Sequence, residues 1–512
     1  MSATEPKAAP TRDTPETAKL HRRALGVPDL VFFIVAASAP LTAVAGGQAA
    51  TYLVTGNRAV PFMFIPLGIL LALFAVGYAA MSRYVANAGA FYSYVAQGIG
   101  KVQGIGAAFV ALIAYNAMQI GIYGLFGVAF GAFVSGNLGL DLPWWLWCLV
   151  GGLIVAALGV MQVDLNARVL AVVLCLEVLV VALFDVAILA DPGPEGLSLV
   201  GFDPTIAFGA AAGATLTFCV ASFVGFESAA IYSEECRDPR KTVARATFIA
   251  VGLIAVFYAL SSWMLGAAAG FGTMVDPNRL VEAGYATGGN PDPTTVLFVA
   301  GTERLGQIWG TSAALLFATS LFAALLSFHN AVSRYMFALG REGVIPATFG
   351  RVHRVTGAPF VASLSQSLLA LAVVGVFAVS GADPVLQLFT WLTNTGALGV
   401  LLLMAVTSFA VVGYFRRNPQ PELSRWASTI APAVAGLLLL VVLVLGVANF
   451  NVLITGAIGA PTDPMAIILP ALLFVGGVAG LVVGARLKRR RPEVFAAVGE
   501  GAGAEEADRA EP

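Results

Sequence analysis

Two acidic residues stand where a charged side chain is costly. Glu177 lies in VVLCLEVLVV, ten residues past Ala167. Glu227 closes Ser222-Phe223-Val224-Gly225-Phe226-Glu227, in a run that begins apolar at Thr215 and ends in a burst of charge from Glu234 to Lys241. A carboxylate at bilayer depth costs roughly 2.5–3.5 kcal/mol on insertion scales, so it faces a partner or a water-filled cavity. Such a group can load and release a proton. Glu177 and Glu227 are therefore proton-site candidates, and Glu227 has the alternative of a structural acid bonded to backbone. His329 could titrate as well, although a neutral, hydrogen-bonded imidazole is the simpler account. Beside Glu227, Gly225 weakens its helix and leaves backbone groups free. In lipid such groups must be satisfied, line a cavity or bind something. The stretch reads as a ligand site within a membrane helix, with a packing glycine and a paired Glu227 as the structural alternative.

The elements that hold these residues are apolar. Of 512 residues, 58% are hydrophobic and 11% charged, with a mean hydropathy of +0.86. Soluble domains carry about 25% charged residues, so the chain is a polytopic membrane protein. Its 28 basic residues form no block outside KRRR at 488–491, which argues against nucleic-acid binding. Cys148, Cys175, Cys219 and Cys236 make no CxxC, and the three histidines have no HExxH spacing. With no Walker motif and no nucleophile–base cluster, the residues point to neither an enzyme, a metal site, a cofactor nor direct use of ATP.

Runs of about 20 apolar residues predict an all-α protein with twelve spans, near 28–53, 59–82, 100–134, 143–162, 168–190, 205–232, 243–268, 308–338, 359–380, 384–413, 430–450 and 464–486. Residues 1–24 read as a disordered tail, and HRR at 21–23 imitates a secretory signal, but the apolar run continues too far for one. With the N-terminus inside, only Arg58, Arg279 and Arg304 of the 28 basic residues fall outside. Both termini are then cytoplasmic. The loops at 269–307 and 339–358 are long enough to cap the two mouths, or to be plain connections.

The first span, LVFFIVAASAPLTAVAGGQAA, carries Pro40 in its middle. Proline has no N–H to give Ala36 and pushes Ala39 out of helical conformation. Ala36, Ala37, Ser38 and Ala39 are small, so their backbone is approachable. A packed proline kink is the alternative. The breaks fall in spans one and six, each opening a set of five. Interrupted segments at matching places in two halves indicate inverted repeats with a site at the bilayer midplane. The repeats would be 25–190 and 205–415. Helices 11 and 12, at 426–487, would serve packing or dimerisation, followed by a tail at 488–512. Half-helix N-terminal ends suit an anion and C-terminal ends a cation, so a zwitterion suits both.

SFVGFESAAIYSEECRDPRKTVARA at 222–246, ANAGAFYSYVAQGIGKVQG at 86–104, NAVSRYMFALGREGVIPATFGRVHRVTGAPFVA at 330–362 and NARV at 166–169 together resemble the amino acid–polyamine–organocation permeases. The resemblance covers roughly 22–415 and implies a five-plus-five inverted-repeat fold with helices 1 and 6 broken. Many members carry G-x-G at the first break, where this chain has Ala37-Ser38-Ala39-Pro40. By position, the resemblance implies a substrate carboxylate at the N–H groups around Ser38 and Ala39. It implies an ammonium at free carbonyls near Ala36, Ala221, Ser222 and Val224, beside Gly225. Phe223 or Phe226 would gate the site. Asn116, Gln119, Trp391, Thr393 and Asn394 would set specificity, each with packing as an equal alternative. Glu177 stands where some proton-coupled relatives have a lysine in place of sodium, and sodium held by Glu177, helix-one carbonyls and Ser327 is the alternative. The expected function is a secondary importer of amino acids or related amines in a bacterial inner membrane, coupled to protons, monomeric or dimeric. Sodium symport, amino acid/amine exchange and a transport-fold sensor are the other readings.

Overall fold

A computed structural model describes residues 26–85, 91–161, 167–227, 239–353 and 356–499. Long apolar runs close their backbone bonds internally, which in lipid leaves helices as the main solution. The first span is interrupted: α1 (Val27–Ala37), a wide π-helical turn over Thr42–Gln48, then α2 (Ala49–Thr55). It is followed by α3 (Val60–Met81), the short α4 (Phe91–Gly98), α5 (Lys101–Leu138), α6 (Trp144–Met161) and α7 (Ala167–Ala190). After α8 (Pro204–Ala207) come α9 (Ala212–Phe223) and α10 (Pro239–Ala269). Segment 270–306 holds α11 (Phe271–Met274), α12 (Pro277–Glu282), a two-stranded antiparallel hairpin pairing Ala286 with Pro291, and α13 (Val296–Leu305). Then follow α14 (Gln307–Arg341), α15 (Phe360–Val379), α16 (Thr390–Arg417), α17 (Ala431–Ala448), α18 (Phe450–Thr455), α19 (Pro464–Arg490) and α20 (Pro492–Ala497).

Among the described residues, eleven helices are long and apolar enough to cross a membrane. The span expected at 205–232 is interrupted as the sequence indicated: α9 contributes 12 residues, about 18 Å of helix at 1.5 Å per residue, and the chain past 227 lies outside the described residues. The expectations for the 1–24 tail, Asn166, Cys236, residues 86–90 and the charged stretch 228–238 lie outside the described residues.

The 38-residue α5 runs through the middle, packed by α4, α6, α14, α16 and α19. Small residues set the α5–α19 approach: a Cβ added at Gly480 would lie 2.7 Å from the Ile105 carbonyl, and one at Gly484 3.1 Å from Val102 Cα. Close backbone contact of this kind is the usual device where lipid offers no hydrophobic drive between helices. Exposed Leu437, Val441, Val444, Ile467, Val475 and Val478 cover the outer sides of α17 and α19.

Arg83, Lys101, Arg341 and Arg417 mark one end of the bundle, the basic face; α11, α12, the hairpin and α13 lie at the other, the loop face. On the basic face α20 folds back. Gln97 Nε2 donates to the Gly499 carbonyl at 3.3 Å, the Lys101 ammonium donates to the Ala496 carbonyl, and Val498 is buried. The expected tail from 488 is therefore ordered to residue 499.

Candidate functional site

Helix α1 stops at Ala37 because of Pro40. Ser38 N–H still reaches the Ile34 carbonyl at 3.2 Å, but Ala39 N–H closes a tighter turn on Ala36 at 3.0 Å. Ala39 takes φ +45°, the only left-handed non-glycine among the described residues. An alanine there stores strain of order 1–3 kcal/mol that the surroundings must hold. Tyr258 of α10 holds it: its hydroxyl lies 3.1 Å from both the carbonyl and the Oγ of Ser38.

Helix α9 ends the same way. Val224 N–H closes on the Ala221 carbonyl at 3.3 Å, and the chain turns through Gly225 at φ +114°. A Cβ at Gly225 would stand 2.9 Å from the Ala37 Cβ and 3.0 Å from its carbonyl oxygen. Glycine is thus needed for the turn and for the contact between the two breaks. Glu227 fastens this turn. Its carboxylate accepts the Gly225 N–H at 2.9 Å and the Tyr115 hydroxyl at 2.7 Å, while Tyr78 donates to its backbone carbonyl at 2.9 Å.

Between the breaks lies a cavity of about 50 Å³, room for a few waters. Ala37, Ser38, Ala39, Ala221, Ser222 and Val224 border it. Two expectations change. The N–H groups of Ser38 and Ala39 are spent within α1, and the carbonyls of Ala36 and Ala221 each accept from the residue three further on. A helix losing its four-residue bond tightens to a three-residue one and leaves one carbonyl lone pair. The polar surface offered instead is hydroxyl oxygen. Ser38, Thr42, Ser222 and Thr393 donate to Val35, Ser320, Phe218 and Phe389, so each oxygen keeps a lone pair, Ser38 Oγ just one because Tyr258 also donates to it.

The other expected side chains separate. Phe223 packs on Phe64 and Tyr258, and Phe226 on Phe74, with ring centroids 6.0–6.1 Å apart. Neither borders the cavity, because both point toward α3 and α10. Of the specificity candidates only Thr393 borders it. Asn116 and Asn394 bond back to Leu112 and Thr390, Gln119 pairs with Gln366 and the Leu325 carbonyl, and Trp391 meets Phe377 edge-on. The walls come from residues the sequence left unmarked: Met118 and Ile122 of α5, Phe218 of α9, Ala324 and Phe328 of α14, and Phe389.

Residues 25–475 match the family model for amino acid permeases. The chain belongs to the amino acid permease family. It is 25% identical over 399 residues to the low-affinity putrescine importer of Escherichia coli (strain K12), covering 75% of this chain and 80% of that one. It is 23% identical over 411 residues to the branched-chain amino acid permease of Bacillus subtilis (strain 168), covering 76% and 80%. A third relative, the chloroplastic cationic amino acid transporter 7 of Arabidopsis thaliana, is 29% identical over 253 residues, covering 47% of this chain and 37% of that protein. The Eremococcus coleocola manganese transporter shares the fold, with a TM-score of 0.53 at 14% identity over 89% of this chain and 93% of that one. The permease is therefore a multi-pass membrane transporter and not an enzyme.

In the permease a short relay joins the cavity to Glu177. Thr42 Oγ1 donates to Ser320 Oγ at 3.1 Å, and Ser320 Oγ donates to Glu177 Oε2 at 2.8 Å. The Leu41 N–H, the first donor after Pro40, turns to the same carboxylate. Glu177 thus caps the start of the second half of span one. The serine beside it is Ser320. Ser327, two turns further along α14, is exposed. His329, nine residues from Ser320, falls on the opposite side of a 3.6-residue helix. There its Nε2 lies 2.8 Å from Ser363 Oγ of α15. A further acid was passed over: Asp185 of α7 is buried and accepts the Ser261 hydroxyl of α10 at 2.8 Å. Its signal, one acid in LFDVAILA, was as plain as that of Glu177.

Proposed function

We propose that this permease is a secondary active importer of amino acids, working by alternating access and driven by protons through Glu177. The observation that carries the reading is the Thr42–Ser320–Glu177 relay, which runs from the cavity wall to a buried carboxylate. A change of charge at Glu177 alters what Ser320 can donate to, and hence what Thr42 presents to the cavity. The substrate ammonium would meet the lone pairs of Ser38, Thr42, Ser222 and Thr393. The main-chain N–H groups of the two breaks are already paired, so the carboxylate would be met only as the breaks rearrange with the widening of the cavity. At about 50 Å³ the cavity must widen to admit such a molecule. The segments 25–190 and 205–415 would rock against each other, with the basic face cytoplasmic by the positive-inside rule. A bacterial cell membrane fits the Arg-rich, Ala- and Gly-rich composition and the bacterial relatives.

A second reading, an amine as cargo, is favoured by the likeness to the putrescine importer and by hydroxyl oxygens that suit an ammonium. Uptake of labelled amino acids and diamines into proteoliposomes, with and without a pH gradient, tests both. Uptake that rises with an acid exterior and ignores sodium supports the proton. Uptake that follows sodium and ignores pH overturns it, with sodium then held by the same oxygens.

A further inference from the structure

The loop face holds a second and much larger cavity, about 540 Å³, within the range of small-molecule sites. It is lined by the same two helices as the central one. On α5, Met118 and Ile122 line the centre, and Leu125, Val128, Ala129 and Ala132 line the outer cavity on the same helical stripe. On α14, Phe328 and Ala324 line the centre, and Phe317 and Ala314 the outer cavity. Leu125 and Phe317 stand between the two, over Gly46. A Cβ added at Gly46 would collide with the Leu125 side chain and lie 3.8 Å from Phe317 Cζ.

Its chemistry is one-sided. Phe133, Phe298 and Phe317 give aromatic wall, and the charged residues lining it are two acids, Asp292 and Glu303. Asp292 is buried, with Thr287 and Thr294 donating to it. Glu303 is largely exposed, and among the described residues its ion-pair partner is Arg304 at 3.7 Å. That arginine is turned away from the cavity, with Nε 3.3 Å from Asp191 Oδ2 and Nη1 donating to the Ala300 carbonyl. An acid-lined cleft with low-dielectric walls concentrates cations, and aromatic faces attract an ammonium group and cover an apolar body.

We propose that this loop-face cavity is an antechamber for organic cations, binding an ammonium group attached to an apolar body, and that Leu125 and Phe317 bar its way to the centre. The inference rests on the transporter reading only in taking the loop face as external. Phenethylamine, the neutral 2-phenylethanol and the anionic phenylacetate are titrated against the full-length protein in nanodiscs, by calorimetry. Phenethylamine binds and the other two do not. Glu303→Gln weakens it threefold or more, and Ala132→Trp, at an exposed position on the wall, abolishes it. Asn137→Trp at the rim does the same should the first variant fail to fold. Phe317→Ala raises the rate at which an impermeant thiol reagent, added from the loop face, labels Thr42→Cys in a cysteine-free background, tenfold or more. Equal binding of all three compounds, or phenethylamine binding that survives both tryptophans, overturns the antechamber. Unchanged labelling in Phe317→Ala overturns the barrier. Proteoliposome uptake is measured beside these. Loss of uptake with binding intact refutes the transporter reading alone, and binding indifferent to charge refutes this one alone.

Discussion

Glu177 and Glu227 are both buried glutamates beside a helix break, yet their surroundings differ in kind. Glu227 accepts a backbone N–H from its own turn and a tyrosine hydroxyl, and its carbonyl takes a second tyrosine. The tyrosines come from α5 and α3, and all three contacts hold the turn that follows α9. Glu177 reaches a serine on another helix, and that serine accepts from a threonine on the cavity wall. One acid fastens a turn; the other is wired to the wall of the central cavity. Burial does not distinguish the two acids. Their partners do.

The comparison breaks most readily at Glu177. Glu177→Gln keeps the shape and removes the titrating charge, so proton-driven uptake in proteoliposomes falls a hundredfold or more while the protein purifies and melts normally. Gradient-driven uptake that persists at the wild-type rate would place coupling elsewhere, with Asp185 next to test. Gly225→Ala attacks the other side. It combines left-handed strain of about 1–3 kcal/mol with overpacking of similar size against Ala37, and a thermal-melt assay reads the loss as a markedly lower midpoint. Glu227→Gln gives up one acceptor of a buried pair, about 1–3 kcal/mol. Its melting temperature drops, yet the dependence of uptake on the pH gradient keeps its form. A changed pH profile in this variant would erase the contrast. Ser320→Ala cuts the relay and leaves Glu177 with the Leu41 N–H. Coupled uptake drops roughly tenfold, the equivalent of about 1.4 kcal/mol, with little change in melting. Ala39→Gly sharpens the picture with the smallest effect. Relief of left-handed strain, about 1–2 kcal/mol, is offset by glycine's extra chain entropy of about 0.5–1 kcal/mol, so uptake is kept and the melting point shifts by a few degrees at most.

What the sequence revealed follows from how local each cause is. Pro40 cannot donate a hydrogen bond wherever it sits, and Gly225 permits a turn that other residues resist, so both breaks were visible. Most span lengths were visible for the same reason. The span expected at 205–232 is interrupted where Gly225 indicated, with α9 ending at Phe223. The relay joins Thr42, Ser320 and Glu177 across as many as 278 positions, and no local pattern marks such partners. Phe223 and Phe226 looked like gates because aromatics near a break often are. Their direction depends on α3 and α10, which offer Phe64, Phe74 and Tyr258 to pack against. Asn116 and Asn394 were marked by position in the resemblance; each donates its amide N–H to a carbonyl of its own helix, and its Oδ1 is buried without a partner.

The folded-back end of the chain has a practical corollary. Val494 sits 3.0 Å from the position of a Cβ built at Gly343, and the carbonyls of Ala496 and Gly499 are held by Lys101 and Gln97. Anyone trimming the protein at Arg491 to aid crystallisation removes a clasp that ties the approach to α5 to the exit from α14. A fluorescent reporter belongs past residue 499, where it leaves that clasp shut.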